Sequence, residues 1–169
     1  MKRFLVLLLL AVSLLWAEAP LTPFKVEKRY FLNYDKNTTC LVRQVQVYKD
    51  PKWVAKIRTR SGKTVYFCSP KSMFEFYFRP GKWYDVGVRS ERDFAEIVVT
   101  DYNTAEPINA EEAYFVYGVG SVTSPAGDDL PAFKSKEEAE AFAKAYDGKR
   151  VMSFEQVSNA LIKLLNGRI

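Results

Sequence analysis

Histidine is missing from this chain altogether. That excludes a Ser-His-Asp or Cys-His nucleophilic centre, an imidazole general base and any His-ligated metal site. Sulfur is scarce as well: the chain has two cysteines, Cys40 and Cys68, and three methionines, Met1, Met73 and Met152. The cysteines are not arranged as Cys-x-x-Cys, so thioredoxin-like exchange has little to stand on. An excess of one charge is absent too. The net charge is +5 over 169 residues, with basic side chains scattered among acidic ones, which gives nucleic acid no footprint. The Gly118-Val119-Gly120-Ser121 run lacks the order of a phosphate loop and reads as a flexible loop over a surface groove. The acidic pairs Glu111-Glu112 and Asp128-Asp129 read as solvated loop or helix-start residues, since an acid/base pair needs burial or a shaped cleft. No catalytic constellation stands out, and an enzyme is not expected.

A long apolar run is also lacking, with one exception at the start. Lys2 and Arg3 precede the apolar stretch Phe4 to Trp16, and Ala17-Glu18-Ala19 follows as a small-x-small cleavage site. The stretch falls short of the roughly 20 residues of a membrane span. It reads as a cleavable export signal over residues 1–19, giving a periplasmic chain with no transmembrane segment after processing. Residues 20–39 read as an N-terminal arm, and residues 40–166 as one compact globular region. Asp35-Lys36-Asn37-Thr38-Thr39 is a polar loop that also fits an extended bacterial glycosylation sequon at Asn37.

Within 40–166 the pattern predicts an α+β fold. Leu41 to Tyr48, with Val42, Val45 and Val47, suggests a half-buried strand. Trp53 to Thr59 and Thr64 to Phe67 are two further strands around the tight Ser61-Gly62-Lys63 turn. Ser69-Pro70 caps a helix carrying Met73, Phe74, Phe76, Tyr77 and Phe78, and Pro80-Gly81 stops it. Met73 reads as core filler among aromatics. Phe94 to Tyr102 is a strong strand. The second half repeats this order. Tyr114 to Tyr117 and Leu130 to Phe133 are strands, Ser135 with Glu138 is a capping box for a helix to Tyr146, and Arg150 to Met152 is a strand. A final amphipathic helix covers 154–166. Gly62, Phe67, Ser69, Phe76 and Gly81 line up with Gly127, Phe133, Ser135, Phe142 and Gly148. The echo suggests two similar ββαβ-type units packed together, with halves at about 40–102 and 106–154. The dense aromatics around Trp83-Tyr84 suggest core, with a partner surface as the alternative.

The chemistry concentrates on Cys40 and Cys68. In an oxidising compartment a disulfide is the default for two cysteines. A soft metal such as copper(I) is a second reading, because it prefers thiolate ligands. Two unrelated thiols are a third. Cys68 lies beside a helix N-terminus, which is expected to lower its pKa.

Several segments resemble the NosL-type accessory proteins of nitrous oxide reductase. They are Pro51-Lys52-Trp53-Val54-Ala55-Lys56-Ile57, Ser61-Gly62-Lys63, Ser72 to Tyr77, Ile108 to Gly118, Pro131-Ala132-Phe133 and Ser135 to Phe142. The resemblance runs from about Cys40 to Phe154. It implies a periplasmic copper(I) chaperone of two ββαβ units, with respiratory maturation proteins of the periplasm or membrane as partners. The family's Cys-Gly-Met copper motif falls on Arg43, Gln44 and Val45 here, and its later methionine falls near Ala126. Cys40 matches the first cysteine of the two-cysteine variant. The lipid-anchor cysteine common in the family is missing. The resemblance thus leaves Cys40 and Cys68 as the metal candidates, or as a disulfide on a scaffold without copper.

Overall fold

The computed structural model describes residues 28–167. The export signal and the first part of the arm, as read above, lie outside the described residues. The first sheet begins with β1 (Ala55–Thr59) and β2 (Thr64–Phe67), an antiparallel hairpin closed by Gly62 at φ +90. Helix α1 (Pro70–Phe78) follows, with the Ser69 side chain accepting from the Ser72 amide and Pro70 at the first turn, as the Ser-Pro pair predicts. The chain returns as β3 (Phe94–Thr100) and β4 (Pro107–Asn109), giving the strand order β2-β1-β3-β4.

The second sheet has β5 (Tyr114–Tyr117) at its centre. A small hairpin, β6 (Thr123–Ser124) with β7 (Gly127–Asp128), interrupts the glycine loop. Then come β8 (Ala132–Phe133), α2 (Lys136–Ala145) and β9 (Arg150–Ser153), in the order β8-β5-β9. The two halves therefore share one connectivity. Leaving aside the added edge strand β4 and the β6–β7 hairpin, the first strand of each is central, the second and third flank it antiparallel, and a helix links those two. The echoed residues take matching roles: Phe67 and Phe133 end the second strands, Ser69 and Ser135 accept the amides that cap the helices, and Phe76 and Phe142 are buried.

Three expectations are corrected. Leu41 to Tyr48 is not a strand. Its valines are spaced three and then two apart, so they cannot share one strand face. The chain instead folds into a tight turn, with Gln44 N–H donating to Cys40 O at 2.9 Å and Cys40 N–H to Val45 O at 2.8 Å. Gln44 sits at φ +57, a conformation that favours glycine. The C-terminal helix over 154–166 is two pieces. A short 3-10 turn, Phe154–Gln156, is boxed by Ser153 and Gln156, and α3 (Asn159–Leu165) starts afresh with Ser158 as its cap. The loop 118–129 does not lie slack over a groove, because Asp129 is buried and bonded to α1.

One large core joins the halves. Met73, Phe74 and Phe76 from α1 meet Phe115 and Met152 from the second sheet. Trp83 stacks edge-on against Phe76 and belongs to this core, whereas Tyr84 is 80 % exposed.

Candidate thiol site

The site is built where the 40–47 turn meets the end of β2. Cys40 bridges to Tyr66, and the Leu41 amide donates to Tyr66 O at 2.8 Å. That pairing carries Cys40 to Cys68, which immediately precedes the Ser69 cap of α1. Both cysteines are free thiols, 0 % and 1 % exposed, and their side chains hydrogen-bond to each other. The Arg43 amide points at Cys40 Sγ from 3.4 Å, and Cys68 Sγ lies 3.8 Å from Ser72 Oγ.

The electrostatics divide the pair. The hydrogen bond from Cys68, helped by amides of the turn and of Cys68, pulls Cys40 down to about 6 against the resistance of burial. Cys68 is pushed up by giving that hydrogen bond, by burial and by the charge on Cys40. The expectation that the helix N-terminus would make Cys68 the thiolate is therefore reversed. Cys40 collects the amide donors and holds the charge, and Cys68 keeps the proton. The arrangement offers one thiolate and one thiol side by side in a dry setting, suited to a soft cation or to oxidation as a pair.

Beside the thiols lies a charged cluster that sequence reasoning missed. Arg43 donates to Glu75 Oε2 at 3.1 Å and to Asn166 Oδ1 at 2.6 Å, and Asn166 Nδ2 donates to the same Glu75 oxygen at 3.1 Å. Lys82 reaches the other Glu75 oxygen at 3.8 Å. Farther along α1, the buried Lys71 gives its ammonium to Ala126 O at 2.6 Å and to Leu165 O at 3.3 Å. Burial lowers the pKa of Lys71. Asp129 accepts from the Lys71 and Leu130 amides, both at 2.8 Å, and from Ser124 Oγ at 2.6 Å. Burial raises its pKa against those bonds. No signal along the chain marks the contacts that tie the cluster together, because Arg43–Glu75, Arg43–Asn166, Lys71–Leu165 and Lys71–Asp129 join residues far apart in sequence. The closest hint is the Arg43-Gln44 pair, which puts a charge and a turn inside an apolar run.

The fold and the buried sulfur pair define a duplicated ββαβ domain carrying two soft donors. The chain belongs to the NosL family, whose pattern it matches over residues 32–162, and this is a family of non-enzymatic proteins. The crystal structure of the copper chaperone NosL from Shewanella denitrificans superposes with a TM-score of 0.66 at 24 % identity, covering 79 % of this chain and 99 % of that one. Among curated proteins, none matches the chain.

The positions onto which the family's copper motif falls do not fit copper(I). Arg43 brings a cation that is already engaged, Val45 has no donor, and the Ala126 carbonyl is taken by an ammonium. Soft thiolates or thioethers are needed there, and two neighbouring cations disfavour a third. Among the described residues no group of three or more His, Cys, Asp or Glu side chains is placed to hold a metal ion. Among the described residues, Cys40 and Cys68 are the two cysteines, and they bring two soft donors together in this region. Among the described residues no helix is long and apolar enough to cross a membrane.

Proposed function

We propose that this NosL-family chain is an exported accessory protein that takes up copper(I) through Cys40 and Cys68. In this reading it passes the ion on during maturation of a respiratory metalloenzyme such as nitrous oxide reductase in the periplasm. The observation that carries the reading is the buried pair of free thiols that the 40–47 turn and the end of β2 bring together, with the Cys40 pKa drawn down by its neighbour. Copper(I) is the cargo, and two sulfurs suffice for a soft monovalent ion. Family membership and the likeness to a copper chaperone support the same reading.

A second reading is favoured by the near-zero exposure of both sulfurs. On it the scaffold is a metal-free assembly module stapled by a Cys40–Cys68 disulfide in an oxidising compartment.

Titration of the reduced protein with copper(I) against a competing chelator decides between them. The copper reading expects one tightly held ion, lost in Cys40→Ser and Cys68→Ser. A disulfide in protein prepared from the periplasm, together with no tight uptake after reduction, overturns it in favour of the module.

A further inference from the structure

The two thiols are closed off, and the closure is held by side chains that do not touch sulfur. Cys40 opens the turn 41–44, which is held by the Leu41 amide on Tyr66 O and, through its side chain, by Arg43. The Arg43 backbone amide points at Cys40 Sγ, while its guanidinium is tied to Glu75 on α1 and to Asn166 at the C-terminal end of α3. Asn166 also donates to Glu75. Three segments distant in sequence are thus fastened together through the residue whose backbone amide points at Cys40 Sγ.

The fastening is strong in geometry but incomplete. Glu75 is 4 % exposed, and bonds to a buried carboxylate are among the stronger ones. Yet Arg43 Nε is buried with no hydrogen-bond partner among the described residues, and a partly satisfied network is easier to open than a complete one. The anchor on the α3 side is one side chain beyond the last helical residue, where helices fray. The turn itself contains Gln44 in the left-handed region, an uncommon conformation for a residue other than glycine.

We infer that the Arg43–Glu75–Asn166 cluster is a latch controlling solvent access to Cys40 and Cys68. Releasing the C-terminal end of α3 leaves Arg43 held by Glu75 alone, so the 41–44 turn lifts more readily and exposes the sulfurs while the sheets stay folded. The inference rests on the thiol pair as the working site, but its test needs no copper.

The test is the rate of iodoacetamide alkylation of the folded, reduced protein, read by peptide mass spectrometry and repeated in low urea. Asn166→Ala is expected to speed alkylation about tenfold, the change that ~1.4 kcal/mol of easier opening gives. The rate should be nearly independent of urea, as for a local opening that exposes little surface. Lys163→Ala on the same helix lies outside the cluster and is expected to leave the rate unchanged. Arg43→Lys keeps the charge but loses the planar fork, and is expected to behave like Asn166→Ala. It also serves as the second variant if Asn166→Ala does not fold. Alkylation unchanged in a folded variant overturns the latch, as does acceleration no greater than the fall in global stability. A wild-type protein that takes up no copper, with a variant that still alkylates faster, leaves the latch standing and removes only the copper reading.

Discussion

At the scale of residues, the decisive asymmetry is between two cysteines that look alike in the sequence. Cys40 is drawn down to about 6 chiefly by the hydrogen bond from Cys68. Cys68→Ala removes that donor, so the Cys40 pKa is expected to climb back toward the ordinary thiol range of about 8.5. Ultraviolet thiolate absorbance against pH reads this directly, and a midpoint that stays near the wild-type value would refute the assignment. The linkage has a definite sign. A depressed folded-state pKa contributes stability that is present above the unfolded thiol range and is lost as pH falls through about 6. The stability advantage of wild type over Cys68→Ala should therefore grow between about pH 6 and pH 8.5. The raised pKa of Cys68 acts oppositely, weakening the fold only as pH rises beyond the unfolded thiol range. The two sulfurs were legible as the site's candidates because so few other soft or nucleophilic groups exist. Arg43 and Asp129 were not, since their roles come from tertiary contacts with α1 and α3 that no local pattern encodes.

At the scale of elements, local chemistry announced itself wherever the backbone needed a side chain. Ser69 with Pro70, Ser135, and Ser153 with Gln156 each mark a helical start, and the structure uses all of them. The 41–48 run departs from the strand its apolar content suggests because its valines are irregularly spaced, and the turn absorbs the odd residue at Gln44. Helix α1 shows a second device. Its Lys71 amide, left without a partner in the helix's first turn, donates to Asp129 from the β7–β8 connection, so the second half of the chain helps cap the first half's helix. Asp129→Ala strands the Lys71 and Leu130 amides in a buried place and removes the shortest partner of Ser124 Oγ, which keeps the Gly127 carbonyl at 3.3 Å. It is expected to lower stability by about 2–3 kcal/mol in urea denaturation, consistent with orphaned buried polar groups. Ser69→Ala, which removes the local cap and the hydroxyl's contact with Asp129 but leaves both amides on that carboxylate, should cost about 1 kcal/mol. A loss from Asp129→Ala no larger than that from Ser69→Ala would show that the long-range cap adds nothing.

At the scale of the whole molecule, the question is whether two similar halves behave as two. Their connectivity was readable as an echo of turn, strand end, helix cap and buried aromatic. Their union was not, because it depends on which faces meet. The structure places the union on Phe74. Its ring lies 5.2 Å from Phe115 of β5 and 5.0 Å from Phe154 after β9, both in the second half, while it also stacks on Phe78 of its own helix. A fully buried aromatic at such a junction carries apolar burial and ring contacts shared by both halves. Phe74→Ala is therefore expected to cost about 3–5 kcal/mol, the range for a large cavity in a close-packed core. More telling is the form of the transition. Trp53 and Trp83 report on the first half by fluorescence, and amide exchange of β5 and β9 reports on the second. With a shared core these probes should give one coincident unfolding transition in the wild type. In Phe74→Ala the midpoint should fall for both probes together. Two separated transitions in the wild type, or a loss confined to the tryptophans, would mean that the halves fold independently, and that the contact between them is a docking surface rather than a common core.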